Sequence, residues 1–175
     1  LTPAYTEHLV FGGGDASGLR AVDTPAGRVG GLICWEHWSP LSRQALHESG
    51  EDVHVAVWSA VAGVNNMHQE ASRCYAFEAR CHVLAAGQLM RASSLPPELE
   101  PSRAKVSGPE QWLLRGGSAI IAPDGSYLAG PLYEEPGVVV AELDYRRNRE
   151  EAMTLDVAGH YHRPELFDFR VREGA

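Results

Sequence analysis

The chain has 175 residues, 44% of them hydrophobic and 22% charged, the proportions of a globular domain with a real core. A net charge of −8 argues against nucleic acid as a partner and against attraction to an anionic membrane surface. No apolar run approaches the roughly 20 residues that span a bilayer, no signal-peptide pattern opens the chain, and an odd number of cysteines, three, speaks for a reduced, cytoplasmic setting rather than a disulfide framework.

The chain starts at Leu1 and enters structured-looking sequence at once, with Pro3, Tyr5 and Phe11 among polar residues, as a chain cut inside a larger domain would. Residues 1–18 read as an irregular segment punctuated by Gly12-Gly13-Gly14-Asp15 and Gly18. No Gly-Lys-Ser/Thr follows those glycines, so a phosphate loop is not expected. Residues 19–24 alternate like a strand, Pro25-Ala26-Gly27 makes a turn, and 19–34 forms a hairpin. Its second arm, 29–34, is small and apolar, which suits a strand buried on both faces. Ser39-Pro40 starts a helix, with the Ser39 hydroxyl as cap, that runs to about Glu48 and stops at Gly50. Val53, Val55 and Val57 alternate in the next strand; a second helix spans about 67–80, and 82–87 is a short strand. Residues 91–116, with Pro96, Pro97, Pro101 and Pro109, read as one long loop holding Lys105, the only lysine. A second hairpin joins 117–122 to 127–128 through Pro123-Asp124-Gly125-Ser126. Residues 138–143 read as a strand, Asp144 caps a short helix to about Thr154, and the tail is irregular. Helices and strands alternate, so the class is α/β.

Chemistry concentrates at Cys34, where a buried strand ends and a tight connection to a helix begins. The strand fixes the thiol's position, and the turn leaves backbone N–H groups to face a developing anion. A thiolate nucleophile needs a lowered pKa or an adjacent base. Glu36 and His37 follow at once, yet Cys-Trp-Glu-His alone is weak evidence, and a thiol protease using His37 remains an alternative. Glu36 is either a group beside the nucleophile or an acceptor for backbone N–H groups of the turn. Trp35 and Trp58 either line a substrate pocket or pack in the core; Cys74 and Cys81 read as core residues. His54, His68, His82, His160 and His162 lack paired-ligand spacing, so no metal is expected. Glu78 is costly in a core unless paired. It is five residues from Arg73, so each should pair with another element rather than with the other.

Gly27-Arg28-Val29-Gly30-Gly31-Leu32-Ile33-Cys34-Trp35-Glu36-His37 resembles the nucleophile motif of the nitrilase branch of the carbon–nitrogen hydrolases. The flanks agree. Thr6-Glu7 and Phe11-Gly12 resemble the segment before that motif, 54–58 the following strand, and 72–88 the next helix and strand. Gly117 to Ile121 and Gly130-Pro131 resemble a late hairpin. Asp156, Gly159-His160-Tyr161 and Arg163-Pro164, within 156–167, resemble the tail that favours nitrilases over amidases.

The resemblance implies a four-layer α-β-β-α sandwich of which 1–175 is the C-terminal portion. It implies Cys34 as nucleophile and Glu7 as an additional glutamate that orients a catalytic lysine. That lysine belongs just before Leu1 and the general-base glutamate further upstream. Trp35 and Glu36 would support the oxyanion, and His37 and Trp58 would border the pocket. The implied reaction takes a small nitrile to a carboxylic acid and ammonia through a thioimidate and a thioester, with no cofactor, in a homo-oligomer built from dimers. An amidase-type hydrolase, a Cys-dependent acyl transferase and a non-catalytic subunit are the alternatives. Leu41, Leu46, Met67, Tyr75 and Phe77 exceed what one buried stripe on two short helices can hold, so some should face a partner.

Overall fold

The computed structural model describes residues 5–61, 66–96, 98 and 107–172. Pro3, Pro97, Pro101 and Lys105 lie outside the described residues. Two 3-10 turns, Tyr5–Leu9 and Ala16–Gly18, interrupt the irregular N-terminal segment. A seven-stranded mixed sheet follows. Strand β1 (Val22–Thr24) pairs antiparallel with β2 (Gly27–Ile33). Strands β2, β3 (Val53–Trp58) and β4 (His82–Gly87) are parallel neighbours. Helices α1 (Pro40–Ser49) and α2 (Met67–Ala79) make their two crossovers. Strand β6 (Trp112–Ile121) carries β4 and then β5 (Leu89–Arg91) along one edge and β7 (Tyr127–Tyr133) along the other. Helix α3 (Arg146–Ala152) comes last.

The core lies between one face of this sheet and the two helices. Leu32, Ala56, Trp58, Val83, Ala85, Ala119 and Ile121 meet Leu46 of α1 and Ala71, Tyr75 and Ala76 of α2. Helix α1 ends at Gly50 in the left-handed conformation (φ 71°), and the Gly50 N–H closes onto the His47 carbonyl, a geometry glycine adopts without strain. Ser39 precedes the helix, but its hydroxyl accepts from Ser42 Oγ (2.9 Å) instead of capping a backbone amide. Arg80 takes the left-handed position after α2 (φ 52°). From there its guanidinium reaches the Leu155 and Pro123 carbonyls and tethers the tail.

Several expectations need correction. Strand β2 is buried on one face only: Gly30 and Leu32 are covered while Gly31 and Ile33 are exposed. Val55 and Val57 of β3 share that open side, and the core receives His54, Ala56 and Trp58 instead. The first hairpin arm begins at Val22 rather than at 19. Within 91–116, Arg91 ends β5 and Trp112–Gly116 belong to β6, because β5 and β6 satisfy each other's backbone groups. Strand β7 runs on to Tyr133 through the cis Gly130-Pro131 bond. Residues 138–143 alternate half-buried and exposed side chains but join no ladder among the described residues. Cys74 is exposed and only Cys81 is core. The buried stripe of α2 is Gln69, Ala71, Ser72, Tyr75 and Ala76, and position 74 falls beside it.

Candidate active site

Cys34 is the first residue after β2 and opens the 3-10 turn Cys34–Trp38. Its backbone is left-handed (φ 50°), a conformation that costs a non-glycine residue about 1–2 kcal/mol and is held only where surrounding contacts enforce it. The thiol is half-buried and its Sγ lies 3.8 Å from Ser59 Oγ, just beyond the end of β3. Both residues line a cavity of about 40 Å³ walled by Trp35, Trp38, Trp58, Val61, Met67 and His68. The site thus occupies the carboxyl ends of adjacent parallel strands, where open α/β sheets gather ligands.

The turn is held by side chains from several elements. The Ile33 N–H donates to Glu36 Oε2 (2.9 Å), so Glu36 accepts a backbone N–H at the base of the turn. His37 Nδ1 stands 2.9 Å from the Cys34 carbonyl oxygen, and Arg43 Nη1 of α1 donates to the His37 carbonyl (2.8 Å). Trp58 stacks on the His37 ring (centroids 4.5 Å apart) and donates through Nε1 to Ser72 Oγ (3.0 Å). His37 is therefore a buried support beneath the turn and not the pocket-lining residue that sequence suggested. Burial, reinforced by His54, pulls its pKa down to about 3, so the ring is neutral at physiological pH. Trp58 does both jobs considered for it: most of the indole is core, and one part borders the cavity. Trp35 lines the cavity with an exposed ring.

Glu7 sits in the first 3-10 turn with an exposed side chain, and it is not among the residues lining the Cys34 cavity. Glu78 is half-buried and paired with Arg43 (2.9 Å), while Arg73 donates to the Gly125 carbonyl and lies over the Tyr127 ring; each pairs with another element, as the spacing required. Sequence reading passed over Ser59, whose signal was its place at the end of the next parallel strand. It also passed over Glu51, three residues before His54 at the entrance to β3. Among the described residues no group of three or more His, Cys, Asp or Glu side chains is arranged to hold a metal ion, and no helix is long and apolar enough to cross a membrane. A wider cleft opens at the opposite end of the parallel strands, around His82, Glu142 and Asp144. Its arginines, Arg146 and Arg147, are already paired with Asp144 and Asp124.

A cysteine at the end of a parallel strand, facing an aromatic cavity, places the chain among α/β proteins with a candidate thiol nucleophile, and comparison with known proteins makes the family definite. Residues 1–150 match the carbon–nitrogen hydrolase family, and the chain belongs to it. The bifunctional nitrilase/nitrile hydratase NIT4B of Nicotiana tabacum is 36% identical over 180 residues, spanning 100% of this chain and 50% of the relative. A nitrilase of Paraburkholderia phymatum is 36% identical over 179 residues, spanning 99% of this chain and 51% of the relative. The chain thus spans about half the length of these relatives. Among solved structures, the Caenorhabditis elegans NitFhit protein superposes with a TM-score of 0.69 at 23% identity, covering 92% of this chain and 34% of that one. A carbon–nitrogen hydrolase from Helicobacter pylori gives 0.66 at 19% identity, covering 85% and 50%. These similarities carry the α/β fold.

Proposed function

We propose that the complete protein is a cytoplasmic nitrilase in which Cys34 attacks a small nitrile, and that residues 1–175 form the C-terminal portion of its single catalytic domain. The observation that carries this reading is the left-handed Cys34 at the end of β2, facing a cavity walled by tryptophans. The names of the 36% identical relatives support the substrate class. The exposed apolar face of β2 and β3, with Ile33 and Val57, suits the second sheet of an α-β-β-α sandwich supplied by the rest of the domain.

The chemistry is as follows. The Cys34 thiolate adds to the nitrile carbon, and a proton reaches the nitrogen, giving a thioimidate. Water adds to that carbon; if the C–N bond breaks, ammonia leaves and a thioester remains, which a second water hydrolyses to the acid. If the C–S bond breaks instead, the amide departs, and the name of the tobacco relative supports testing for that outcome. The Trp35 N–H, one of the first amides of the 3-10 turn, would face the developing charge. Glu7 would orient the lysine, and a glutamate from the rest of the domain would move the protons. Lacking that lysine and glutamate, residues 1–175 alone would be inactive, and no cofactor takes part. The mainly aromatic and aliphatic walls favour an apolar substituent on the substrate.

Leu41, Met67 and Phe77 are exposed on α1 and α2, and a two-fold pairing of these helices would bury them in a homodimer that extends to a larger assembly. The deciding experiment incubates full-length protein with an arylaliphatic nitrile, the matching amide, or either with hydroxylamine, and measures ammonia, acid, amide and hydroxamate. Acid and ammonia from the nitrile support the reading. Turnover of the amide alone would make the protein an amidase, and hydroxamate in excess of acid an acyl transferase.

A further inference from the structure

Beneath Cys34 runs a buried chain of polar groups that the proposed reaction does not use directly. His37 Nδ1 meets the Cys34 carbonyl oxygen (2.9 Å), and His37 Nε2 meets His54 Nε2 (3.1 Å). His54 Nδ1 then meets Glu51 Oε1 (2.9 Å), and Tyr75 OH donates to Glu51 Oε2. His37, His54, Glu51 and Tyr75 are all buried. Glu51 lies directly on the backbone of β2: a Cβ added to Gly30 would stand 1.7 Å from its Oε1. The His54 ring stacks on Tyr75 (centroids 3.6 Å apart), so the chain is also locked by packing.

The direction of each hydrogen bond follows from which atoms can donate. A carbonyl only accepts, so His37 Nδ1 carries a hydrogen. The His37 ring is neutral, held so by burial and by His54, so its Nε2 offers a lone pair. His54 Nε2 must then donate. Between His54 Nδ1 and Glu51 Oε1 lies a single further proton: either the imidazolium donates to the carboxylate, or the carboxylic acid donates to the neutral ring. Either state leaves the pair with no net charge and aims the His54 Nε2–H at His37. That donor and the acceptor-only Cys34 carbonyl act at opposite nitrogens of the His37 ring and favour the same tautomer, with hydrogen on Nδ1.

We infer that Glu51, His54 and His37 are positioning residues that hold Cys34 in its left-handed turn through the Cys34 carbonyl, and so aim the thiol into the cavity. The inference rests on Cys34 being the nucleophile of the proposed hydrolase, but its geometry can be read without turnover. A neutral Nδ1–H His37 is a fixed donor in a site closed to water, and a preorganised turn of this kind sets rate rather than substrate affinity.

The test uses full-length protein carrying Cys74→Ser, which removes an exposed thiol. Three readouts are taken: alkylation of Cys34 by iodoacetamide, kcat and KM for the nitrile, and nitrogen-15 NMR of the histidine rings. His37→Phe keeps the aromatic stack on Trp58 but removes the donor; it should slow alkylation and lower kcat by about tenfold or more with KM little changed. His37→Asn places an amide N–H near the Nδ1 position and should restore most of both rates. Glu51→Gln can donate to His54 and accept from Tyr75, so it should stay near wild type, whereas Glu51→Leu should resemble His37→Phe. Native-like His37→Phe with wild-type alkylation overturns the inference, and so does His37→Asn as slow as His37→Phe. If these variants do not fold, the wild-type spectrum decides: the inference requires hydrogen on Nδ1 and a lone pair on Nε2 of His37, and the opposite tautomer refutes it. Absence of nitrile turnover in the unsubstituted protein would count against the proposed function alone, because alkylation and tautomer still report the brace.

Discussion

Arg43 Nε stands 2.9 Å from Glu78 Oε2 and joins α1 to α2 directly behind the Cys34 turn. The same guanidinium donates through Nη1 to the His37 carbonyl, so one side chain ties both helices to the turn. The pair is largely shielded, with side chains 20% and 30% exposed, so its hydrogen bonds escape much of the screening that weakens surface pairs. Arg43→Ala should lower unfolding stability by about 1–3 kcal/mol, the usual worth of a charge-assisted bond that leaves a partner unmet. Urea titration measures this. Glu78→Gln should cost less, since the Arg43 contact to the His37 carbonyl survives. Equal stability of Arg43→Ala and wild type would show the tie to be incidental.

Cys34→Ala and Cys34→Ser should abolish nitrile turnover in the full-length protein while leaving the circular dichroism spectrum and melting temperature nearly unchanged. The thiol is half-buried and packs against the core without belonging to its buried cluster, so trimming it removes little buried surface. Cys74→Ala should keep full activity, because Cys74 is exposed and away from the cavity. Activity retained in Cys34→Ala would end the nucleophile assignment.

The place of Cys34 was legible because a run of small apolar residues ends there and Ser39-Pro40 announces a helix soon after; both signals are local. The boundaries of α1 and α2 were legible for the same reason. What escaped depends on distant partners. Trp112 to Gly116 become strand only because β5 and β7 pair with β6. Residues 138–143 alternate convincingly yet pair with nothing described. Val53, Val55 and Val57 marked β3 as a strand but did not tell which face is core: apolarity marks both faces there, and His54, Ala56 and Trp58 are the alternating set that is buried throughout. Glu51 escaped because a charged residue at a strand entrance looks like a solvated loop residue until Tyr75 and His54 close over it.

Glu7→Gln should lower kcat far more than it changes KM, because a charged Glu7 is proposed to set the orientation and protonation of the catalytic lysine. Steady-state kinetics on the full-length enzyme separates the two effects. A wild-type kcat would reduce Glu7 to an ordinary residue of the first 3-10 turn.

Assembly can be tested on the exposed side chains of the two helices. Leu41 is 68% and Phe77 46% exposed; Tyr75, a plausible interface residue by sequence, is fully buried and bonded to Glu51. Leu41→Glu and Phe77→Glu should shift the full-length protein to smaller species in sedimentation and lower activity in step, since α1 begins one residue after the turn that opens with Cys34. A fully active monomer at nanomolar concentration would refute pairing through these helices. Tyr75→Glu should instead unfold the protein.

Stability should fall as the solution is acidified, through histidines buried in the neutral form. Burial pulls His37 down to about 3, with His54 adding to the effect. Burial, with Arg43 and His54 adding, pulls His47 down to about 4. In the unfolded chain both take up protons near the ordinary value of 6.5. Below that pH the unfolded state binds protons that the folded state refuses. The stability these rings contribute is therefore complete above about pH 6.5 and drains away from there down to about pH 4 for His47 and about pH 3 for His37, by up to about 1.4 kcal/mol per pH unit for each ring. His47 offers the cleaner test, because its Nε2 is buried without a partner. His47→Leu removes that atom and its proton uptake together. The variant should match wild type within about 1 kcal/mol at pH 8, where both rings are neutral in either state. It should be the more stable protein at pH 5. Urea unfolding of both at pH 8, 6.5 and 5 isolates the difference, since every other titrating group is shared. A stability difference that does not change with pH would show that His47 takes up its proton as readily in the folded protein as in the unfolded chain.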